Sequence, residues 1–122
     1  MYHKIELIGR LGKDPEMRYT PDGKAVVNFD LAIDIGKDKT MWVRIVTWEA
    51  LAENCNKFLN KGSLVHVEGT LIPDNTGNPK VFKRKDNSYG SVYEVLARRV
   101  TFLSQKVNES DYSSREDYAD LF

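Results

Sequence analysis

Trp42, Arg44 and Trp48 recur at even spacing within Met41-Trp42-Val43-Arg44-Ile45-Val46-Thr47-Trp48, a stretch with the β-branched and aromatic composition of a strand. Alternation places Met41, Val43, Ile45 and Thr47 on one face, which reads as core. The opposite face carries both tryptophans of the chain with an arginine between them. Two rings and a guanidinium on one face suit the stacking of flat, negatively charged ligands. On this strand alone an equal alternative stands: both rings could be buried beneath a neighbouring layer. Two further groups have the same chemistry. Lys80, Lys83, Arg84 and Lys85 surround Phe82, and Arg10, Lys13 and Arg18 cluster near the amino terminus.

Other chemistries are poorly served. His3 and His66 lie far apart and Cys55 falls on an apolar stripe, so no metal cluster of usual spacing appears. The carboxylates are scattered, and neither a nucleophile motif nor a phosphate loop is present. Neither an enzyme nor a bound metal or cofactor is expected. A length of 122 residues suits one domain. No apolar run approaches the ~20 residues that span a bilayer, so no membrane association is expected. The amino terminus lacks a signal pattern, and a single cysteine fits a reducing compartment, so a cytoplasmic, nucleoid-associated protein is expected. Formal net charge is zero but unevenly placed: residues 1–104 carry +3 and residues 105–122 carry −3.

The elements that must position these groups follow from periodicity. Lys4 to Arg10 reads as a strand, Glu16 to Thr20 as a short one, and Pro21-Asp22-Gly23 as a turn. Ala25, Val27, Phe29, Leu31 and Ile33 alternate with Asn28, Asp30 and Asp34, a half-buried strand. The turn Gly36-Lys37-Asp38-Lys39 joins it to the tryptophan strand as a hairpin. Leu51, Cys55, Phe58 and Leu59 then form one helical stripe, with Lys61-Gly62 as its expected close. Ser63 to Leu71 is a strand, Asp74 to Ser91 a long polar loop, and Val92 to Leu103 a final strand. Its alternation breaks near Arg98-Arg99, as a bulge would cause. Residues 105–122 read as a disordered acidic tail after a domain of residues 1–104.

Five main strands with one helix between the third and fourth match an all-β, five-stranded Greek-key barrel of the OB type. That fold binds oligonucleotides on its middle strands and on the loops joining strands 1–2 and 4–5. The tryptophans, the basic 80–85 segment and the Arg10, Lys13 and Arg18 group all fall there.

The chain resembles the bacterial single-stranded DNA-binding proteins over about residues 2–103. The resemblance is carried by Ile8-Gly9-Arg10-Leu11-Gly12-Lys13-Asp14-Pro15-Glu16-Met17-Arg18-Tyr19, Val27-Asn28-Phe29-Asp30-Leu31-Ala32-Ile33 and Trp42-Val43-Arg44-Ile45-Val46. Leu51-Ala52-Glu53 and Leu59-Asn60-Lys61-Gly62-Ser63-Leu64-Val65-His66-Val67-Glu68-Gly69 continue it. It implies a homotetramer that wraps single-stranded DNA without sequence preference in replication, recombination and repair. It also makes Trp42, Trp48 and Phe82 stacking positions. Ile35-Gly36-Lys37 stands where many members carry another aromatic, and Val43 where the best-known members carry an assembly histidine. The carboxyl-terminal Glu116-Asp117-Tyr118-Ala119-Asp120-Leu121-Phe122 keeps the family's acidic, apolar ending, with Leu121 in place of proline. The resemblance therefore implies that Asp117, Asp120, Leu121 and Phe122 recruit replication and repair proteins. The main alternative is an OB-fold protein-interaction module of the primosome type that binds DNA weakly.

Overall fold

The computed structural model describes residues 1–104. In chain order its elements are β1 (Ile5–Leu11), β2 (Glu16–Tyr19), β3 (Ala25–Gly36), β4 (Lys39–Trp48) and α1 (Glu49–Phe58). β5 (Leu64–Leu71), β6 (Val81–Lys83), β7 (Tyr89–Ser91) and β8 (Tyr93–Phe102) follow. The β3–β4 hairpin turns at Lys37-Asp38, where Asp38 has φ 60°, a left-handed conformation that aspartate tolerates in such turns. The main sheet runs β1-β5-β8-β4-β3-β2. β1 also pairs with β3 at Arg10–Ala32 and Leu11–Leu31, closing a ring of β1, β5, β8, β4 and β3 with β2 added outside it. Only β4 and β8 pair in parallel. Closure leaves the open edge to the short β2, and α1 connects β4 to β5, so the expected OB architecture is the one observed.

Alternation fills the barrel. Val27, Phe29 and Leu31 meet Val43 and Ile45, and Val65, Val67, Val95 and Ala97 complete the layer. Thr47 sits on the same face, and its hydroxyl donates to the Val27 carbonyl at 2.9 Å. That bond removes the cost of burying it. The bulge expected near Arg98-Arg99 is present: Arg99 faces Glu68 and Ala97 faces Gly69, leaving Arg98 without an opposite residue. The extra residue returns Val100 to the core, while Arg98 and Arg99 both stay exposed.

Three expectations change. Phe58 does not join the core stripe of α1. The helix ends at that residue, and Leu59, in extended backbone at φ −98° and ψ 149°, takes the buried place instead. Gly62, at φ 90°, lies in the following turn rather than at the cap, and its amide donates to the Leu11 carbonyl at 2.8 Å. The 74–91 segment is not a plain loop, because β6 and β7 form a short antiparallel arm within it. The expected tail, residues 105–122, lies outside the described residues.

Candidate nucleic-acid interface

Residues opposite one another in a sheet share a face, so the strand register lays out the surface in rows. Arg10, Ala32 and Trp42 form one row, and Asp30, Arg44 and Glu94 the next. Asn28 and Val46 lie between Glu16 and Leu96, and Arg18, Val26 and Trp48 make the last row. The tryptophans are six positions apart, about 20 Å at ~3.3 Å per residue. Trp42 is 51% exposed and Trp48 41%, so both rings stand on the outer face rather than under another layer.

Each ring has a floor. Trp42 lies on Gly12 so closely that a Cβ there would fall 2.5 Å from Cζ3 and 2.7 Å from Cη2. Glycine is needed for that approach. Beside Trp48, Val26 is wholly buried although it points away from the core cluster. Trp48 also occupies the amino-terminal cap position of α1, which follows directly from β4.

Arg44 is held between two carboxylates. Its Nε lies 3.9 Å from Asp30 Oδ1 and its Nη1 3.5 Å from Glu94 Oε1. The other oxygen of Glu94 accepts from Lys80 Nζ at 3.0 Å, so one nearly buried carboxylate ties the strand cation to a cation at the base of the β6–β7 arm. Arg44, Lys80, Phe82 and Glu94 line a groove of ≈ 540 Å³ between β4 and the arm. Phe82 is 46% exposed and lies opposite Gly90, where a Cβ would meet its Cζ at 2.7 Å. The Arg84 guanidinium stands 5.5 Å from the Phe82 ring centroid and donates to the Tyr89 carbonyl at 2.6 Å. A cation on one face of the ring favours its ordering. The arm tip is fixed by Asp86, which accepts from the Ser88 amide and hydroxyl at 3.0 and 2.6 Å. Those bonds, the hydroxyl foremost, hold its carboxyl below the usual aspartate range.

The sequence-expected residues therefore fall into distinct settings. Trp42, Arg44, Trp48, Phe82 and Lys80 converge on the outer face and its groove. Lys83 and Lys85 are exposed on the arm, Lys13 is exposed next to Gly12, and Arg18 is exposed in the Trp48 row. Arg10 is half-buried in the Trp42 row, and its Nη1 donates to the Gly62 carbonyl at 3.1 Å. Asp117, Asp120, Leu121 and Phe122 lie outside the described residues. Sequence reasoning missed Gly12, Asp30 and Glu94. Alternation does put Glu94 on an outer face, but nothing local reveals that β8 runs parallel beside Arg44.

The barrel also gathers Glu6, His66 and Glu68, whose candidate ligand atoms lie within 4.8 Å of one another. Lys4 Nζ stands 3.6 and 3.7 Å from the two glutamates, so the group is already tied into an ion-pair network. A separate cavity of ≈ 420 Å³ is lined by Ile5, Leu7, Met41 and Val43 among others and contains no lysine or arginine. It does not suit phosphate binding. Among the described residues no helix is long and apolar enough to cross a membrane.

Comparison with known proteins agrees with this geometry. Residues 2–103 match the single-strand binding protein family. The chain is 37% identical to a single-stranded DNA-binding protein of Halalkalibacterium halodurans, over 96% of this chain and 70% of that protein. It is 39% identical to single-stranded DNA-binding protein A of Bacillus subtilis, over 87% of this chain and 62% of that protein. Single-stranded DNA-binding protein 3 of Listeria innocua is 38% identical over 88% of this chain and 68% of its own length. The chain thus spans roughly two thirds of these relatives. Each of these relatives is named for binding single-stranded DNA. An OB barrel with an aromatic outer face and this match over nearly its whole described length belongs to the single-strand binding protein family.

Proposed function

We propose that this protein binds single-stranded DNA without sequence preference and protects it during replication, recombination and repair. The observation that carries the reading is the pair of half-exposed tryptophans flanking Arg44 on the open face of the barrel. Unpaired bases present π faces that stack on such rings at ~1–3 kcal/mol each, whatever the base. Lys13, Arg18, Lys83, Arg84 and Lys85 supply cations for phosphates, whose binding releases counterions. A homotetramer would set several such faces around one strand. Asp117, Asp120, Leu121 and Phe122 act as the recruiting tip for replication and repair proteins, in a cytoplasmic, nucleoid-associated setting.

One observation favours the second reading, a protein-interaction module with weak DNA binding: Arg44 and Lys80 are both engaged by Glu94. Fluorescence anisotropy with labelled oligo(dT), oligo(dC) and mixed-sequence strands, with unlabelled duplex as competitor, separates the two. Comparable affinity for all single strands and no competition by duplex are expected. Equal competition by duplex, or no measurable binding, would refute the proposal. Removal of residues 117–122 should leave oligonucleotide affinity intact while abolishing capture of replication and repair proteins.

A further inference from the structure

Phe58 and Phe102 stand away from the groove, 57% and 39% exposed, with ring centroids 6.2 Å apart and planes at 49°. Lys57 Nζ lies 5.3 Å from the Phe58 centroid. The core does not require this pair, because Leu59 already fills the buried position beside Cys55 and Ala52. Exposed rings beside a cation repeat the chemistry of the tryptophan face.

The contacts between the two regions make a route. Trp42 rests on Gly12, and Lys13 follows it, exposed to solvent. The neighbouring Asp14 accepts from the Lys61 amide at 2.7 Å, which brings the β1–β2 turn against the segment after α1. Lys61 and Lys57 are both exposed there, and Lys57 leads directly to Phe58 and Phe102. We infer that Phe58 and Phe102, with Lys57 and Lys61, form a second stacking platform that carries a single strand from Trp42 round the end of the barrel. The inference rests on the proposal that the tryptophan face binds single-stranded DNA. Three lysines along the route match a polyanion and disfavour a second copy of the same surface as occupant.

Titration of the full chain with oligo(dT) of graded length tests it. Phe58→Ala/Phe102→Ala should keep wild-type affinity for the shortest strands that bind. For strands long enough to leave the groove it should lose about five-fold or more, the least that one stacked base is worth. Phe58→Tyr should retain the long-strand gain and Phe58→Leu should not, because only the former keeps a π face. Lys57→Glu/Lys61→Glu should lose it as well. The inference is overturned if the alanine variant matches wild type at every length, or if leucine serves as well as tyrosine. It is equally overturned if the alanine variant only lowers the sedimenting mass of the free protein, which would assign the rings to an interface between copies. Failure of wild-type protein to bind short strands would overturn the groove proposal itself, a separate result.

Discussion

Glu94→Gln isolates the electrostatic arrangement at the centre of the groove. The Glu94 side chain is only 9% exposed, yet its two oxygens meet Arg44 at 3.5 Å and Lys80 at 3.0 Å. The cations themselves are 45% and 40% exposed, so solvent screens both pairs strongly. Each pair is then worth at most about 1 kcal/mol, and the amide retains an oxygen that can accept from Lys80. The expected loss of stability is about 1–2 kcal/mol, or roughly 4–8 °C in Tm for each kcal/mol. Binding should respond in the other direction. In the wild type, Asp30 and Glu94 balance Arg44 and Lys80. The variant leaves a net cation free to meet phosphate. For single strands each additional phosphate contact steepens the slope of log K against log salt by about 0.7, so with one cation released a steepening of about 0.7 is expected. Oligo(dT) titrations at several salt concentrations read that slope, alongside a thermal melt. An unchanged or shallower slope in a folded variant would refute the view that Glu94 restrains the groove cations.

Two other perturbations probe different parts of the molecule. Gly12→Val places a branched side chain where a Cβ alone would meet Trp42 at 2.5 Å, so the ring must swing outward. A red-shifted tryptophan emission and several-fold weaker oligo(dT) binding are expected, with little change in Tm because the ring is already half exposed. Burial pushes the Cys55 thiol from its usual 9.0 up to about 12, with the Thr47 side chain opposing weakly. The folded state therefore holds this proton more tightly than the unfolded chain. Its contribution is complete below pH 9 and is lost as pH rises towards 12. Denaturant melts from pH 8 to 11 should show stability falling more steeply in wild type than in Cys55→Ala, by up to about 1.4 kcal/mol per pH unit. The native thiol should also resist alkylation at pH 8.

The barrel was legible because β3 and β4 alternate cleanly and one helical stripe interrupts the strands, an order few small folds share. Trp42 and Trp48 could be placed on one face by period alone, but their exposure depended on what lay across the sheet. Glu94 is fifty positions from Arg44, and their meeting rests on a parallel pairing that no local pattern announces. Phe58 obeyed the helical period and still missed the core, since the chain leaves helical geometry at Leu59. The β6–β7 arm escaped notice because strands of three residues with no buried side chain are too short for alternation to register. His66 and Glu68 share a face of β5 by period alone, but Glu6 reaches them only through the β1–β5 register, which pairs Glu6 with Glu68 from the other end of the barrel sequence.

The central claim is that Trp42 and Trp48 stack on unpaired bases, and tryptophan fluorescence during oligo(dT) titration measures it directly. Wild-type emission should be quenched to saturation. At matched salt, Trp42→Ala and Trp48→Ala should each bind about five-fold or more weakly, with quenching retained from the remaining ring. Unquenched emission at saturating oligo(dT), or wild-type affinity in both variants, would contradict it.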